Sequence, residues 1–270
     1  MQPFHVIQIS DTHLSEERPW FVPNFEAMVA IVSARRPDLV VNTGDISLDG
    51  VNRDPELIFS RRCHDSLNVP VRFIPGNHDL GDNPWRADVE PAITEARRCR
   101  YRELFGEDYW WLSAGGWLLV GVNVQLFGSG LAAEDAQWTF LASIEAHAAG
   151  RPVALFVHKP LFKNRHDEVE VDHRYVPPDS RRRLADALAG ADVRLVASGH
   201  VHQHRRHRVD SVDHCWAPST AFVLSDRRQP RIGQKRVGYV EYTFHSTSVD
   251  ITVVEPAQLT NHDLEEFVPG

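Results

Sequence analysis

Short apolar runs of strand length alternate along this chain with segments in which apolar residues recur at helical spacing. The strand-like runs cover residues 4–9, 39–42, 71–74, 117–124, 153–157 and 193–197, and the helical segments cover residues 24–35, 135–149 and 180–189. Asn24 is the expected N-cap of the first helix, and Gly150 and Gly190 follow the other two. This alternation predicts a layered α/β domain.

The C-terminal third has a different pattern, in which strand-like runs follow one another. Residues 238–244 and 248–254 are predicted to form two strands joined by a tight turn, and residues 214–217 to form another strand. We expect this region to form a second sheet that packs face to face on the first. The chain shows neither an internal repeat nor a low-complexity linker, so we expect a single domain over residues 1–270.

Short polar blocks follow five of the strand-like runs directly. The blocks are Asp11-Thr12-His13, Gly44-Asp45, Gly76-Asn77-His78-Asp79, His158, and Gly199-His200-Val201-His202. Functional groups in open α/β sheets collect just beyond the carboxyl ends of strands, so we expect these blocks to converge on one site. Nitrogen and oxygen ligands without thiolate suit Mn, Fe or Zn, and the sequence therefore predicts a metal centre for Lewis-acid hydrolysis.

The spacing within the blocks supports this prediction. Asp11 and His13 are two residues apart, as are His200 and His202, so in an extended backbone each pair projects to one side. The two oxygens of Asp45 allow it to bridge two ions roughly 3.5–4 Å apart, the spacing found in two-metal hydrolases. Two divalent ions would exceed the charge of Asp11 and Asp45, and the remaining positive charge favours an anionic phosphoryl substrate.

Together the five blocks resemble the signature of the calcineurin-like metallophosphoesterase superfamily, which runs DxH, GD, GNH(D/E), H and GHxH. All five elements occur in order across residues 11–202. The resemblance implies a four-layer α/β/β/α sandwich, in which two packed mixed sheets are flanked by helices. It also implies one metal ion held by Asp11, His13, Asp45 and His202, and a second held by Asp45, Asn77, His158 and His200.

The resemblance further implies catalytic roles for the two residues after Asn77. His78 would not bind metal but would donate a hydrogen bond to the phosphate and a proton to the leaving oxygen. Asp79 would orient His78 by accepting a hydrogen bond from its other ring nitrogen.

The segments ISDTHL at residues 9–14, TGDIS at 43–47 and PGNHD at 75–79 are most similar to bacterial class III cyclic-nucleotide phosphodiesterases and related glycerophosphodiesterases. This similarity implies hydrolysis of a small phosphodiester through attack by a metal-bridging hydroxide. Lys159 stands where those enzymes often have a second histidine, and its charge would favour a dianionic monoester. A phosphomonoesterase acting on a small phosphorylated metabolite is therefore the alternative, with Lys159 or Arg165 as an added anion clamp. A nuclease and a non-catalytic scaffold are the remaining readings.

Two long irregular stretches, residues 75–97 and 161–178, leave directly from predicted metal-binding blocks. Irregular segments of this length are typically functional, so we expect them to form walls of the substrate pocket. The candidate pocket residues on loops are Trp20, Phe21, Lys163, Arg165 and His166. His204 extends the GHVH block to a third alternate position and could hydrogen-bond the site.

The composition limits the partners and the compartment. A formal net charge of −8 over 270 residues argues against binding to nucleic acid or to an anionic membrane surface, so a small-molecule phosphoester is the expected partner. Cys63, Cys99 and Cys215 are scattered without a CxxC pair, which predicts neither a disulfide framework nor a thiolate metal site.

We expect a cytoplasmic protein, because there is no leader-like segment and no apolar stretch near the roughly 20 residues that span a bilayer. The family resemblance would also allow a homodimer through the C-terminal strands.

Overall fold

Two β-sheets form the centre of the molecule in a computed structural model that describes residues 2–268. The strands are β1 (Phe4–Ile9), β2 (Leu39–Asn42), β3 (Val71–Phe73), β4 (Trp110–Ala114), β5 (Trp117–Val122), β6 (Val153–Val157), β7 (Val193–Ser198), β8 (Arg205–Val209), β9 (Val212–Trp216), β10 (Phe222–Val223), β11 (Tyr239–Phe244), β12 (Val249–Val254) and β13 (His262–Asp263). The helices are α1 (Val22–Arg35), α2 (Asp54–Asp65), α3 (Asn77–Leu80), α4 (Glu95–Phe105), α5 (Ala132–Ala142), α6 (Ile144–Ala148) and α7 (Pro178–Ala187), and 3-10 helices lie at Pro19–Phe21, Val124–Leu126 and Leu264–Glu266.

The first sheet has five strands in the order β12-β11-β1-β2-β3. Strands β1, β2 and β3 run parallel, and β11 pairs with β1 in the antiparallel direction. The second sheet has six strands in the order β4-β5-β6-β7-β9-β8, with a parallel centre from β5 to β9 and an antiparallel strand at each edge. A short pair, β10 with β13, lies outside both sheets.

The two sheets pack face to face and bury the largest apolar cluster between them. Val6 and Tyr242 of the first sheet lie in this cluster with Leu119 and Phe156 of the second. Helix α1 covers the outer face of the first sheet through residues such as Met28, and α5, α6 and α7 cover the outer face of the second. The predicted four-layer α/β/β/α sandwich of two mixed sheets is therefore confirmed.

The assignment of strands to sheets was partly wrong. The C-terminal hairpin β11–β12 does not form a second sheet but extends the first sheet, because β11 pairs with β1 from Phe4 to Gln8. The second sheet comes instead from the middle of the chain, between β4 and β9. Among residues 2–268, no helix combines the length and apolar character needed to cross a membrane.

The N-cap assigned to Asn24 was also wrong. Helix α1 begins at Val22, and the buried side-chain amide of Asn24 donates to the carbonyl oxygens of Thr220, Ala221 and Thr260. Asn24 therefore connects the helix to the segment after β9 instead of terminating the helix.

Candidate metal centre

All five polar blocks meet at one edge of the molecule, where the carboxyl ends of parallel strands from both sheets approach each other. Strands β1, β2 and β3 of the first sheet carry the blocks at Asp11, Asp45 and Asn77. Strands β6 and β7 of the second sheet carry those at His158 and His200. The Asp11 carboxylate accepts the backbone N–H of His200 at 2.9 Å and 3.1 Å, so a direct contact joins the two sheets here.

The backbone of the candidate ligands is unusual. Asp11, His13, Asp45, His200 and His202 have positive φ angles of 53°, 41°, 49°, 69° and 50°. A residue other than glycine in the left-handed region costs free energy and persists only where the surrounding structure enforces it. Each of these residues therefore leaves its strand through a tight turn that directs its side chain towards the common site.

Asp11, His13 and His202 form the first group of candidate ligands, with one donor atom from each within 4.8 Å of the others. Nε2 of His13 lies 3.2 Å from Nε2 of His202, which lies 3.4 Å from Oδ1 of Asp11. Converging nitrogen and oxygen donors at these distances fit a shared cation.

Asp45, His158 and His200 form the second group within the same limit. Nε2 of His158 lies 3.0 Å from Nδ1 of His200 and 3.2 Å from Oδ1 of Asn77. Asn77 thus brings a neutral oxygen atom next to this group.

Asp45 stands between the two groups and presents one carboxylate oxygen to each. Its Oδ2 lies 3.8 Å from Nε2 of His13, and its Oδ1 lies 3.4 Å from Nε2 of His158. This is the arrangement required of a ligand that bridges two ions. Gly44 permits it, because its φ is +101° and a Cβ atom there would lie 2.6 Å from both the Gly76 nitrogen and Nδ1 of His158.

Hydrogen bonds fix the tautomers of two candidate ligands. Nδ1 of His158 donates to the Thr43 carbonyl oxygen at 2.8 Å, and Nδ1 of His202 donates to the Phe222 carbonyl oxygen at 2.9 Å. In both rings Nε2 then carries the lone pair and faces the site, which is how backbone carbonyls orient metal-binding histidines.

Electrostatics favour a cation between these groups. Burial opposes the ionisation of Asp45, but His158 and His78 outweigh it and hold the pKa of that carboxyl well below its usual range. Burial likewise disfavours the protonated ring of His158, yet the carboxylates of Asp45 and Asp11 raise the pKa of His158 to about 9. The buried carboxylates thus attract positive charge, which a bound metal ion would provide.

His78 lies beside these groups and lines the cleft above them. Its Nδ1 donates to the Leu48 carbonyl oxygen at 2.7 Å, and its ring centroid lies 4.8 Å from that of His13. Burial lowers the pKa of His78, but the Asp45 carboxylate and the Leu48 carbonyl raise it more, so the net shift is upward. The Leu48 contact leaves Nε2 as the nitrogen for a ligand in the cleft.

The prediction that Asp79 orients His78 was wrong, because Nδ1 of His78 donates to the Leu48 carbonyl oxygen and not to Asp79. The Asp79 carboxylate instead accepts the backbone N–H groups of Ile46, Ser47 and Gly76 at 3.2, 2.9 and 2.9 Å. Asp79 therefore holds the turn after Asp45 against the turn before Asn77, and so acts on the position of the candidate ligands.

The cleft above the candidate ligands has a volume of about 620 Å³. Besides the ligand residues and His78, its lining comprises Arg18, Trp20, Leu48, Asp49, Val51, Asn52, Pro91, His173, Arg174, Phe222, Leu224, Gln229, Leu264 and Val268. The irregular stretches at 75–97 and 161–178 contribute Pro91, His173 and Arg174, as expected of pocket walls. Trp20 also lines the cleft, whereas Phe21 is buried beneath it against Phe222.

Several cations and histidines predicted to face the substrate lie elsewhere. Lys159 is fully buried, and its Nζ donates to Asp82 at 2.5 Å and Asn83 at 2.8 Å, so it cannot clamp an anion in the cleft. Lys163, Arg165 and His166 do not line the cleft; the Arg165 side chain is 71% exposed and pairs with Asp167.

His204 also points away from the candidate metal centre. Its Nδ1 donates to the Trp216 carbonyl oxygen at 2.9 Å. The prediction that His204 hydrogen-bonds the site was therefore wrong.

The sequence reasoning missed most of the cleft wall. Arg18, Arg174, Phe222 and Gln229 come from three separate segments, 18–20, 173–174 and 222–229, and line the cleft together. None belongs to a spaced motif. For Arg174 the only available signal was its position on the irregular stretch after His158.

Comparison with known proteins places these observations in a family context. The family model for calcineurin-like phosphoesterases matches residues 4–204. A probable glycerophosphodiester phosphodiesterase of Arcobacter nitrofigilis is 29% identical over 210 residues, covering 73% of this chain and 71% of that protein. A serine/threonine-protein phosphatase of Danio rerio is 26% identical over 255 residues, covering 83% and 78%. A 3′,5′-cyclic-nucleotide phosphodiesterase of Nostoc is 25% identical over 238 residues, covering 83% and 81%.

Solved structures agree on the fold. The crystal structure of a dimetal phosphatase from Danio rerio superposes with a TM-score of 0.65 at 14% identity, covering 93% of this chain and 95% of that chain. The family match spans all the blocks that build the site, from Asp11 to His202. The chain belongs to the calcineurin-like phosphoesterase family and is a hydrolase of phosphoric esters.

Proposed function

We propose that this protein is a metal-dependent phosphodiesterase that hydrolyses a small phosphodiester of the cyclic-nucleotide or glycerophosphodiester type. The relatives from Arcobacter and Nostoc carry phosphodiesterase names and support this reading. One ion would be held by Asp11, His13, Asp45 and His202, and a second by Asp45, Asn77, His158 and His200. Mn, Fe or Zn ions bound there would act as Lewis acids on the phosphoryl oxygens and lower the pKa of bound water.

The charge balance of the cleft wall carries the preference for a diester. Among the lining residues that lie within 2–268, Arg18 and Arg174 are the cationic side chains of the wall. Nη2 of Arg18 lies 3.8 Å from Asp49, and Nη1 of Arg174 lies 3.1 Å from both carboxylate oxygens of Asp172. Each arginine is thus paired, and the wall offers no free cation for an additional substrate charge.

That balance distinguishes the two main substrate classes. A phosphodiester carries one negative charge, whereas a phosphate monoester carries nearly two at neutral pH. The second charge of a monoester would face a neutral wall and a buried Lys159 that is already paired with Asp82. We therefore propose a phosphodiester, and not a phosphate monoester, as the preferred substrate.

His78 would assist departure of the leaving group. Nδ1 of its ring is held by the Leu48 carbonyl, so Nε2 is directed towards the cleft and can donate a proton to an alkoxide oxygen. An imidazole ring ordinarily titrates near neutral pH, which suits a general acid.

A phosphomonoesterase is the second candidate, favoured by the relatives that carry serine/threonine-protein phosphatase names. Substrate preference separates the two. We expect kcat/KM of Mn²⁺-loaded protein to be higher for bis-(p-nitrophenyl) phosphate than for p-nitrophenyl phosphate, by roughly tenfold or more. An Asp45→Asn preparation purified in parallel measures contaminating activity. Preference for the monoester would reject the diester assignment.

We also propose that the protein works in a reducing compartment such as the cytoplasm. Cys63, Cys99 and Cys215 are all free thiols in the structure. Burial raises the pKa of Cys63 and Cys215 to about 11, which keeps both protonated and unreactive.

A further inference from the structure

Two glutamines connect the metal centre to the cleft wall. Gln203 directly follows the candidate ligand His202 and is fully buried. Its Oε1 accepts the backbone N–H groups of Ile232 and Gly233, both at 2.8 Å. Its Nε2 donates to Oε1 of Gln229 at 2.6 Å and to the Pro230 carbonyl oxygen at 3.0 Å. The side-chain amide of Gln203 is therefore fully satisfied.

This set of bonds fixes the orientation of both amides. A reversed Gln203 would place its NH₂ group against the two N–H donors of Ile232 and Gly233, leaving four donors without acceptors. Because Gln203 must present Nε2 to Gln229, Gln229 must present Oε1 in return. The NH₂ group of Gln229 is then the end that remains for the cleft.

Gln229 is held in place from a second direction as well. Nζ of Lys235 donates to its backbone carbonyl oxygen at 2.7 Å, so both main chain and side chain are restrained. Gln229 is 4% exposed and lines the cleft. Within residues 2–268, its Nε2 makes no hydrogen bond, and this nitrogen is not sealed off by the protein, so it is open to solvent in the cleft. A restrained donor without a partner, facing a binding cleft, suits recognition of a ligand acceptor.

We propose that Gln229 is a specificity-determining residue whose Nε2 donates a hydrogen bond to an uncharged oxygen acceptor, a hydroxyl or carbonyl, on the organic group of the substrate. This inference rests on the proposed function and narrows its substrate class to phosphoesters with an oxygen-bearing substituent.

The position of Gln229 favours the organic group over the phosphate. Phe222 and Leu224 precede Gln229 on the same segment of the chain and also line the cleft, and they are apolar and suited to the carbon skeleton of a substrate. The phosphoryl oxygens would be served by the metal centre and by His78, which also lines the cleft. Gln203 acts as a positioning residue, since it determines which end of Gln229 faces the ligand.

Equilibrium binding tests this without requiring turnover. Calorimetry on Mn²⁺-loaded protein would compare methyl phosphate, whose substituent has no free oxygen acceptor, with glycerol 3-phosphate and thymidine 5′-phosphate. We expect wild-type protein to bind at least one acceptor-bearing ligand more tightly than methyl phosphate. Gln229→Met, which has nearly the same size, should weaken binding of that ligand by roughly 3- to 10-fold, the effect of one neutral hydrogen bond, and leave methyl phosphate within about twofold.

Gln203→Met should reproduce the same ligand pattern, because Gln229 could then rotate its amide. The exposed Gln258, whose side chain makes no hydrogen bond within residues 2–268, provides the matched control as Gln258→Met. Metal content and Tm of each variant would show whether it is folded and loaded. Equal weakening for all three ligands, no weakening at all, or a wild-type protein that does not favour the acceptor-bearing ligands would overturn the proposal. The turnover assay and these binding measurements are independent, so a lack of preference for the diester in turnover would reject the proposed function without changing the expected binding results.

Discussion

The floor and the wall of the cleft are built by different means. The floor consists of the candidate metal ligands at the strand ends, and residues such as Asp11 and Asp45 are 0% and 2% exposed. The wall consists mainly of segments 18–20, 48–52, 173–174, 222–229 and 264–268, and its partly exposed arginines, Arg18 and Arg174, are paired with Asp49 and Asp172. The floor therefore has the features of the chemical step, while the wall has those of substrate selection.

The two regions differ in how much folding free energy their side chains and backbone cost. The floor collects buried carboxylates and positive φ angles, both of which cost folding free energy in the absence of a cation. The wall avoids such costs, because Arg174 is neutralised by Asp172 and Trp20 stacks on Phe267 at a centroid distance of 5.1 Å. Substitutions in the floor should consequently abolish activity, and substitutions in the wall should only adjust affinity.

The largest expected effect is that of Asp45→Asn in the floor. A carboxamide has one oxygen donor where Asp45 presents two, so both ions should bind weakly and turnover should fall by more than the roughly 10²–10⁴-fold of a single general acid–base group. Metal analysis and kcat/KM measure the two losses together. Asp210→Asn, at a side chain that is 78% exposed, is the matched control. An Asp45→Asn protein with two ions and wild-type turnover would remove Asp45 from the bridging position.

The second prediction asks whether His78 belongs to the floor or to the wall. His78→Ala should retain metal and lose roughly 10²–10⁴-fold in kcat, because the ring is proposed as a proton donor. The loss should be larger for an alkyl leaving group than for p-nitrophenolate, which needs little protonation. His13, Asp45 and His78 also have donor atoms within 4.8 Å of one another, so metal loss in this variant would instead make His78 a ligand.

The sequence predicted the floor well and the wall poorly, for a physical reason. Floor residues follow strands directly, so Asp45 or His158 is located as soon as its strand is located, and the blocks fix the spacing. Phe222 and Gln229 reach the cleft through packing between segments that are distant in the sequence, such as β10 with β13, and no local spacing records this packing. The assignment of Lys159 failed similarly, because its burial depends on Asp82, which lies on another loop.

The fold shows the same division. Strands that are rich in apolar residues, such as β1 and β6, were predicted with their observed bounds. Helix α2 was missed because the residues that it buries are Glu56, Leu57, Ser60 and His64, so its inner face is largely polar and lacks apolar periodicity. Strand β8 was missed, since as an edge strand it has a largely polar sequence.

The polar inner face of α2 is connected to the floor of the cleft by a chain of buried hydrogen bonds. His64 accepts from the Asn42 side-chain amide at 2.9 Å and donates to the Ser60 carbonyl oxygen at 2.8 Å. Oδ1 of Asn42 in turn accepts the Gly44 N–H at 3.0 Å, immediately before Asp45. His64 must therefore be neutral to hold this chain of hydrogen bonds.

The third prediction concerns the pH dependence of stability from His64. Burial lowers the pKa of His64 from 6.5 to about 4 in the folded protein. As pH falls from about 6.5 to about 4, the unfolded chain binds a proton that the folded chain does not, so the free energy of unfolding should fall by at most about 3 kcal/mol.

Urea unfolding at pH 7 and pH 5 measures this slope in wild type and in His64→Leu. The variant should be less stable at pH 7, because Asn42 loses its acceptor, and should show a smaller slope. Other titrating groups contribute to both proteins, so the difference between the slopes isolates His64. Equal slopes in the two proteins would contradict the proposal that a neutral His64 supports the metal ligands through Asn42.

The smallest effect is expected in the wall, and it tests the neutrality on which the diester preference depends. Removing the charge of Arg174 leaves Asp172 unpaired beside the cleft, so Arg174→Gln should raise KM for an anionic diester by less than roughly tenfold, in keeping with the small energies of partly exposed ion pairs. Removing both charges in Arg174→Gln/Asp172→Asn should return KM close to the wild-type value, with kcat little changed throughout. If Arg174 instead clamps the substrate, the double variant will be as weak as the single one, and the wall would then share in binding the phosphoryl charge that we assign to the floor.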